Sequence, residues 1–323
     1  MRALGLFSGG LDSMLAVEAI RRLGLEVVAV SFSSPFFGTA WAQEAAAQLG
    51  VSLMTLDVTD EYLAMLPHPK YGYGKNMNPC IDCKALMLRQ AGKLMQKRGC
   101  DFIFSGEVLG QRPMSQNRQS LHIVAKLSGY EDYILRPLSA KLLPPILVQR
   151  EQKLDTARLY DISGRGRQRQ MLLAQEFGIT SYPSPAGGCK LTEPGYARRL
   201  SRLYETDPAP SVRLFKLLGL GRHVRLGDAA TLVVGRSEAE NDAIERLAVA
   251  SDAVLRVSGY VGPTGLLTTP CSPDEMRQAA AIVARYSDAP QHDEANVQVV
   301  QGGASYELAV VPIDPDEVRS LLV

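Results

Sequence analysis

Six residues near the start of the chain, Ser8-Gly9-Gly10-Leu11-Asp12-Ser13, combine two glycines, two hydroxyls and a carboxylate. Adjacent glycines let a backbone turn tightly and come close to an anion. Hydroxyls and free N–H groups at a helix start then form a phosphate cradle. The segment is neither the Gly-Lys-Ser/Thr loop of ATPases nor the dinucleotide fingerprint. A second chemical cluster is Asn78-Pro79-Cys80-Ile81-Asp82-Cys83-Lys84, at the start of a helical stretch. A thiol there is expected to have a lowered pKa, because the helix N-terminus favours the thiolate. Cys189, in the glycine loop Pro185-Ala186-Gly187-Gly188-Cys189-Lys190, is the third reactive candidate, while Cys100 and Cys271 suit packing. For Cys80, Cys83 and Cys189 the residues alone leave several roles open. Zinc prefers four ligands in a structural site, and no fourth Cys or His is evident nearby. A redox pair, a persulfide carrier with a resolving thiol, and a [4Fe–4S] cluster with one open iron all accommodate the set.

These groups need a scaffold to position them. Arg2–Phe7, Glu26–Phe32, Val51–Leu56 and Asp101–Ser105 are short apolar runs with strand character. Between them, Ser13–Leu23, Thr39–Leu49 and Ile81–Arg98 keep apolar residues at helical spacing. The β-α-β-α-β-α-β rhythm predicts an α/β fold, a doubly wound parallel sheet with helices on both faces. In such a sheet a ligand sits beyond the carboxyl ends of the strands, where strand order reverses. The chain is loop-rich from Arg136 to Arg199, and a boundary is expected in Thr206-Asp207-Pro208-Ala209-Pro210, dividing it into 1–207 and 208–323. Beyond it, strand-like runs (Ala230–Val234, Val254–Val257, Gly265–Thr268, Val297–Val300, Glu307–Val311) and two helical stretches predict a second, smaller α+β domain.

Composition narrows the partners. With 46% apolar and 21% charged residues, the 323-residue chain is neither disordered nor a disulfide-dense secreted scaffold. Its formal net charge of +1 is a cancellation: residues 1–140 carry +2, residues 141–222 carry +7, and residues 223–323 carry −8 with no lysine. The basic surplus lies around Arg165, Arg167, Arg169, Arg198 and Arg199, which flank Cys189 in sequence. A run of charge is ordinarily a solvated face. Arginine suits phosphate, and phosphate contacts dominate nucleic-acid affinity, so these five are candidates for an RNA-backbone surface. The acidic distal part is a candidate for homodimerisation. No run reaches the roughly 18 apolar residues needed to span a bilayer. The expected location is cytoplasmic, with no membrane partner.

Ser8–Ser13 resembles the SGGxDS signature of the PP-loop ATP pyrophosphatases, members of the adenine nucleotide α-hydrolase superfamily. The resemblance implies that Ser8, Gly9, Gly10, Asp12 and Ser13 hold the pyrophosphate part of ATP, with Asp12 near Mg²⁺. It also implies that Ser31 and Phe32 lie near adenine and that Gly106 closely approaches the nucleotide. Asn78–Lys84 resembles the NPxxxCN segment of tRNA 2-thiouridylases, with Cys83 at the catalytic position; Cys80 departs from their usual aspartate and Lys84 from their asparagine. The surroundings of Cys189 are closer to PP-loop thiolases that bind an open-site [4Fe–4S] cluster through three cysteines. Gly106-Glu107-Val108-Leu109-Gly110-Gln111, with Ser115-Gln116, resembles the GxxxGQ…SQ segment of 4-thiouridine synthetases. Residues 221–248, from Gly221 to Ala248, resemble an NFACT RNA-binding-like module.

These resemblances imply an ATP-dependent tRNA sulfurtransferase that adenylates a uridine carbonyl oxygen and replaces it with sulfur. Its cofactors would be ATP, Mg²⁺ and a [4Fe–4S] cluster on Cys80, Cys83 and Cys189, with Asp12 beside the reacting phosphates. Its partners would be tRNA and a sulfur donor, either sulfide or the persulfide of a cysteine desulfurase. The alternatives are a cluster-free persulfide 2-thiouridylase, a PP-loop enzyme sulfurating or amidating a small molecule, and a non-catalytic nucleotide- or RNA-binding protein.

Overall fold

The computed structural model describes residues 1–184, 188–227 and 230–323. Pro185, Ala186 and Gly187 of the third-cysteine loop, and Asp228 and Ala229 of the module resemblance, lie outside the described residues. The chain forms two compact units, Met1–Thr192 and Glu193–Val323. Asp207, where the sequence suggests a boundary, follows the C-terminus of a helix of the second unit.

In the first unit the elements run β1 (Arg2–Leu6), α1 (Leu11–Arg21), β2 (Glu26–Ser33), α2 (Ala40–Leu49), β3 (Leu53–Asp57), α3 (Thr59–Met65), α4 (Cys80–Arg98), β4 (Phe102–Ser105), α5 (Arg118–Ser128), β5 (Ile134–Leu135), α6 (Leu147–Arg150) and α7 (Gln168–Glu176). The five strands form one parallel sheet in the order β3-β2-β1-β4-β5. This is the expected doubly wound α/β arrangement, and its strand order reverses between β1 and β4. Alternate side chains of each strand face opposite layers. Val28, Val30 and Phe32 of β2 join Leu88, Ala91 and Met95 of α4 and Val124 of α5 on one face. Ala29 of β2 joins Leu15 of α1 and Ala42 of α2 on the other. Both faces are therefore covered, which is why the strands are apolar without alternation. In the β1–β4 pairing Gly5 lies opposite Phe104, and a Cβ there would fall 2.3 Å from the ring.

The stretch from Arg136 to Arg199 is more ordered than its sequence suggests. It includes α6 and α7 in the first unit and the first half of α8 (Pro194–Thr206) in the second. Residues 138–179 contribute Leu138, Ile146, Leu159, Ile162, Ala174 and Ile179 to the α1 face of the core. Helix α7 gives no amphipathic signal because it buries Gln170 and Ala174 while leaving Met171 and Leu172 exposed. The pattern is inverted from what periodicity detects.

The second unit continues with α9 (Val212–Leu217), β6 (Arg222–Leu226), β7 (Ala230–Val234), α10 (Glu238–Leu247), β8 (Ala253–Val257), β9 (Gly265–Leu267), α11 (Pro273–Arg285), β10 (Ala295–Gln301), β11 (Ala304–Val310) and α12 (Pro315–Leu321). Its six strands pair antiparallel in the order β11-β10-β8-β9-β7-β6. Helix α11 packs its Ala279, Ala280, Ile282 and Val283 against this sheet, and Ser272 caps it with a reciprocal Glu275 contact. This is the expected smaller α+β unit. No helix among the described residues is long and apolar enough to cross a membrane.

Candidate functional site

The phosphate-type loop occupies the turn from β1 into α1, at the carboxyl end of the sheet. Gly10 caps α1 with no side-chain hydrogen bond, so no side chain takes up the first N–H groups of the helix. The Ser13 hydroxyl donates to the Gly10 carbonyl at 2.7 Å and lies 3.4 Å from the Ser8 hydroxyl. Gly9 has φ +77°, and a Cβ there would fall 2.2 Å from the Trp41 carbonyl oxygen, so both conformation and space demand glycine. Gly106, just after β4, would place a Cβ 2.5 Å from the Asp12 backbone. Its close approach is thus to the loop that opens α1. Ser31 and Phe32 are both buried in β2; Phe32 packs in the core on the α4 side, and Ser31 faces the α1 layer.

Asp12 is held from outside its own helix. Gln111 Nε2 donates to Asp12 Oδ2 at 3.0 Å, whereas Oδ1 is shielded from solvent with no protein partner. Burial raises the Asp12 pKa, against the pull of the Gln111 hydrogen bond, of the Arg167 and Arg112 charges and of the Gln170 amide.

The thiols gather around a residue that the sequence did not point to. Tyr62 of α3 is buried and packs between the rings of Phe36 and Phe37, at centroid distances of 5.3 and 5.4 Å. Its hydroxyl hydrogen-bonds Cys83. Burial raises its pKa, and the proximity of Cys83, Cys189 and Cys80 raises it further. The cysteine loops are tied in place: Lys190 N donates to the Phe36 carbonyl at 3.0 Å, and Asn76 Nδ2 donates to the Thr192 carbonyl at 2.7 Å. Asn78 Nδ2 lies 3.1 Å from Cys80 Sγ. Asp82, between the two cysteines, is turned away and accepts from the Lys70 and Tyr71 amides at 3.1 and 3.0 Å.

One expectation is overturned here. Position at a helix start predicts a lowered pKa for the thiol of Cys83, but burial pushes it up to about 12, and the nearby Cys189 and Cys80 add to the rise. The Tyr62 hydrogen bond and Lys84 offset only part of this. Desolvation outweighs the partial charge of a helix terminus.

Among the described residues no group of three or more His, Cys, Asp or Glu side chains is close enough to hold a single metal ion. The donor set nevertheless fits a cluster. Three thiols share electrostatic range around Tyr62, with Asp82 turned away toward the Lys70 and Tyr71 amides, and thiolates are the usual ligands of iron–sulfur clusters.

A buried ion triad links this region to the phosphate loop. Lys84 Nζ lies 2.5 Å and Arg136 Nε 2.9 Å from the two oxygens of Glu107, and the Ser105 hydroxyl donates to the same carboxylate at 3.2 Å. Burial alone would raise the pKa of Glu107; Lys84 and Arg136 outweigh it and hold the carboxyl at about 2. Neither this triad nor Tyr62 carried a sequence signal of its own, since each depends on residues far apart in the chain.

The five arginines fall into different settings. Arg165 is exposed, Arg169 is exposed and paired with Asp161 at 2.7 Å, and Arg167 is half-buried. Arg198 and Arg199 belong to α8 of the second unit; Arg198 is exposed, and Arg199 Nε donates to the Gly195 carbonyl at 3.1 Å. The five arginines therefore divide between the units, Arg165, Arg167 and Arg169 in the first and Arg198 and Arg199 in the second.

Comparison with known proteins gives two family matches. Residues 1–142 match the model described as thiamine biosynthesis protein (ThiI). Residues 221–321 match the NFACT protein RNA binding domain. The expected resemblances to 4-thiouridine synthetases and to an NFACT RNA-binding-like module are borne out. A probable tRNA sulfurtransferase of Bacillus licheniformis is 31% identical over 169 residues, covering 51% of this chain and 40% of the relative. A tRNA-specific 2-thiouridylase of Methylobacterium nodulans is 23% identical over 244 residues, covering 69% of this chain and 60% of the relative. The chain thus spans less than two thirds of the length of either. A solved 4-thiouridine synthetase–RNA complex with bound ATP overlaps 55% of this chain and 51% of its own, at 18% identity and a TM-score of 0.34.

Proposed function

With residues 1–142 matching the thiamine biosynthesis protein (ThiI) model, residues 221–321 an RNA-binding one, and relatives named as tRNA sulfurtransferases, we propose that this protein is an ATP-dependent tRNA sulfurtransferase acting on a uridine. The observation that carries the reading is the convergence of Cys80, Cys83 and Cys189 around Tyr62, joined through Lys84 and Glu107 to the strand end that packs on Asp12. A phosphate loop alone fits any PP-loop enzyme. Three thiols placed beside it fit sulfur transfer.

In this mechanism the N–H groups opening α1, with the Ser8 and Ser13 hydroxyls, hold the phosphates, and Asp12 would hold Mg²⁺ through Oδ1, which would offset phosphate charge. The uridine carbonyl oxygen attacks the α-phosphorus, and pyrophosphate leaves. The base carbon, now bearing an adenylated oxygen, accepts a sulfide, and AMP departs with the original oxygen. Cys80, Cys83 and Cys189 would hold a [4Fe–4S] cluster, which supplies an open iron able to carry that sulfide. The base must leave its stack to reach both centres, so an unpaired or flipped nucleotide is the substrate form.

The test is tRNA-dependent ATP–pyrophosphate exchange, paired with nucleoside analysis of cellular tRNA. Asp12→Ala is expected to abolish exchange and Cys83→Ser to abolish thionucleoside. Normal thionucleoside levels in a deletion strain would overturn the reading, and exchange with a small molecule in place of tRNA would redirect it. Anaerobic purification with iron and sulfide analysis tests the cluster: Cys80→Ser, Cys83→Ser and Cys189→Ser are each expected to lose iron, whereas Cys100→Ser keeps it. An iron-free protein that still thiolates tRNA excludes the cluster.

A further inference from the structure

The three alternating arginines of residues 165–169 do not share one face. Arg165 is solvent-exposed, Arg169 pairs with Asp161, and Arg167 turns inward, where its Nε is shielded from solvent without a protein partner. The cause lies a few residues earlier. Leu109 and Ser163 form an isolated parallel bridge, and Gly164 N donates to the Leu109 carbonyl at 2.7 Å. The two segments run so close that a Cβ on Gly110 would fall 3.3 Å from Gly164 N. This docking brings Arg167 and the first turn of α7 beside Gln111 and Asp12.

The place they meet is rich in polar atoms that the protein leaves unsatisfied. Asp12 Oδ1, Gln111 Oε1 and Arg167 Nε are buried with no hydrogen-bond partner, and the amide of Gln170, 0% exposed, faces the Asp12 carboxylate. Each unpaired buried polar atom costs about 1–3 kcal/mol, so such a concentration marks a place built for groups the chain does not supply. Arg167 and Arg112 both act electrostatically on Asp12, and together they exceed its single negative charge. That surplus suits an anion larger than one carboxylate.

We propose that Arg167, with Gln170 and Gln111, binds the terminal phosphates of ATP across from Asp12, instead of contributing to the RNA-backbone surface. The inference rests on the phosphate-loop reading and extends it to a segment 150 residues away in sequence. Arg167 supplies a fixed guanidinium to the β- and γ-phosphate oxygens, and the Gln170 amide supplies a neutral donor that orients them. Arg165, two residues earlier and exposed, stays available to RNA.

The experiment is titration calorimetry of the full chain with Mg²⁺ plus ATP, inorganic pyrophosphate or AMP, alongside tRNA binding. Arg167→Ala is expected to weaken ATP and pyrophosphate about thirtyfold, leaving AMP and tRNA within about twofold. Arg167→Lys is expected to recover part of the loss, which also shows that the site is folded. Gln170→Leu is expected to weaken pyrophosphate by about fivefold. Arg150→Ala, at an exposed arginine paired with Asp132, serves as the charge control and is expected to change pyrophosphate affinity less than twofold. The inference is overturned if Arg167→Ala keeps pyrophosphate affinity, if it weakens tRNA while sparing pyrophosphate, or if the Arg150 control loses as much. A wild-type chain that binds neither ATP nor pyrophosphate overturns the phosphate-loop reading itself.

Discussion

Lys84 Nζ lies 2.5 Å from the carboxylate of Glu107, which joins the helix carrying two of the thiols to the strand end that packs on the phosphate loop. Lys84 follows Cys83 directly, and Glu107 follows Gly106, whose missing side chain lets the Asp12 backbone approach. One ion pair therefore fixes the spacing between the cysteine-bearing helix and the glycine loop.

Removing that carboxylate should cost stability in a pH-dependent way. Glu107 is held at about 2 against an ordinary value of 4.5, so its stabilisation is complete above pH 4.5 and is lost as pH falls through about 2. Glu107→Gln leaves the buried Arg136 without its partner and is expected to cost roughly 3–5 kcal/mol at neutral pH. Urea unfolding at pH 7.5, 5.5 and 4 checks this: the gap between wild type and variant should be constant at the first two and smaller at the third. A gap that widens on acidification contradicts the assignment.

The two glycines Gly9 and Gly24 separate conformation from contact. Both have positive φ, +77° and +78°, but a Cβ at Gly24 meets nothing within 4 Å, whereas one at Gly9 meets the Trp41 backbone. Gly24→Ala should cost about 1 kcal/mol and Gly9→Ala roughly 2–4 kcal/mol, with ATP binding lost only in the latter. Thermal melts and ATP titration of the two variants measure the difference.

In iron-free protein Cys83 should be a sluggish nucleophile. With its thiol near 12, the thiolate fraction at pH 8 is on the order of a thousandfold below that of an ordinary cysteine, and the alkylation rate should climb about tenfold per pH unit through pH 11. Tyr62→Phe removes the hydrogen bond that favours the thiolate and should slow alkylation further. Peptide mass mapping of an iodoacetamide time course reads both effects. A rate already flat above pH 9 contradicts the raised value.

The exposed arginines should act on RNA alone. Arg165→Glu with Arg169→Glu is expected to weaken tRNA binding at least about tenfold and to reduce the slope of affinity against salt by about two phosphate contacts. ATP affinity should be unchanged. Filter binding across a salt series, with nucleotide titration beside it, tests both halves.

The sequence by itself determined the parallel α/β sheet, the smaller α+β second unit, the phosphate-type loop and the three candidate thiols. Those features are written locally, in apolar periodicity, in a strand–glycine–helix passage and in cysteine spacing. Tertiary structure decided what faces what. It set Tyr62 among the cysteines, raised the Cys83 thiol where a helix start suggested the reverse, and found α7 where the apolar pattern was inverted. It also turned Arg167 toward Asp12 while its neighbours in the same run stayed in solvent. Burial and pairing are properties of residues brought together from distant parts of the chain. Desolvation and charge at such meeting points are larger than any local helix or spacing effect, so no reading of one segment could have supplied them.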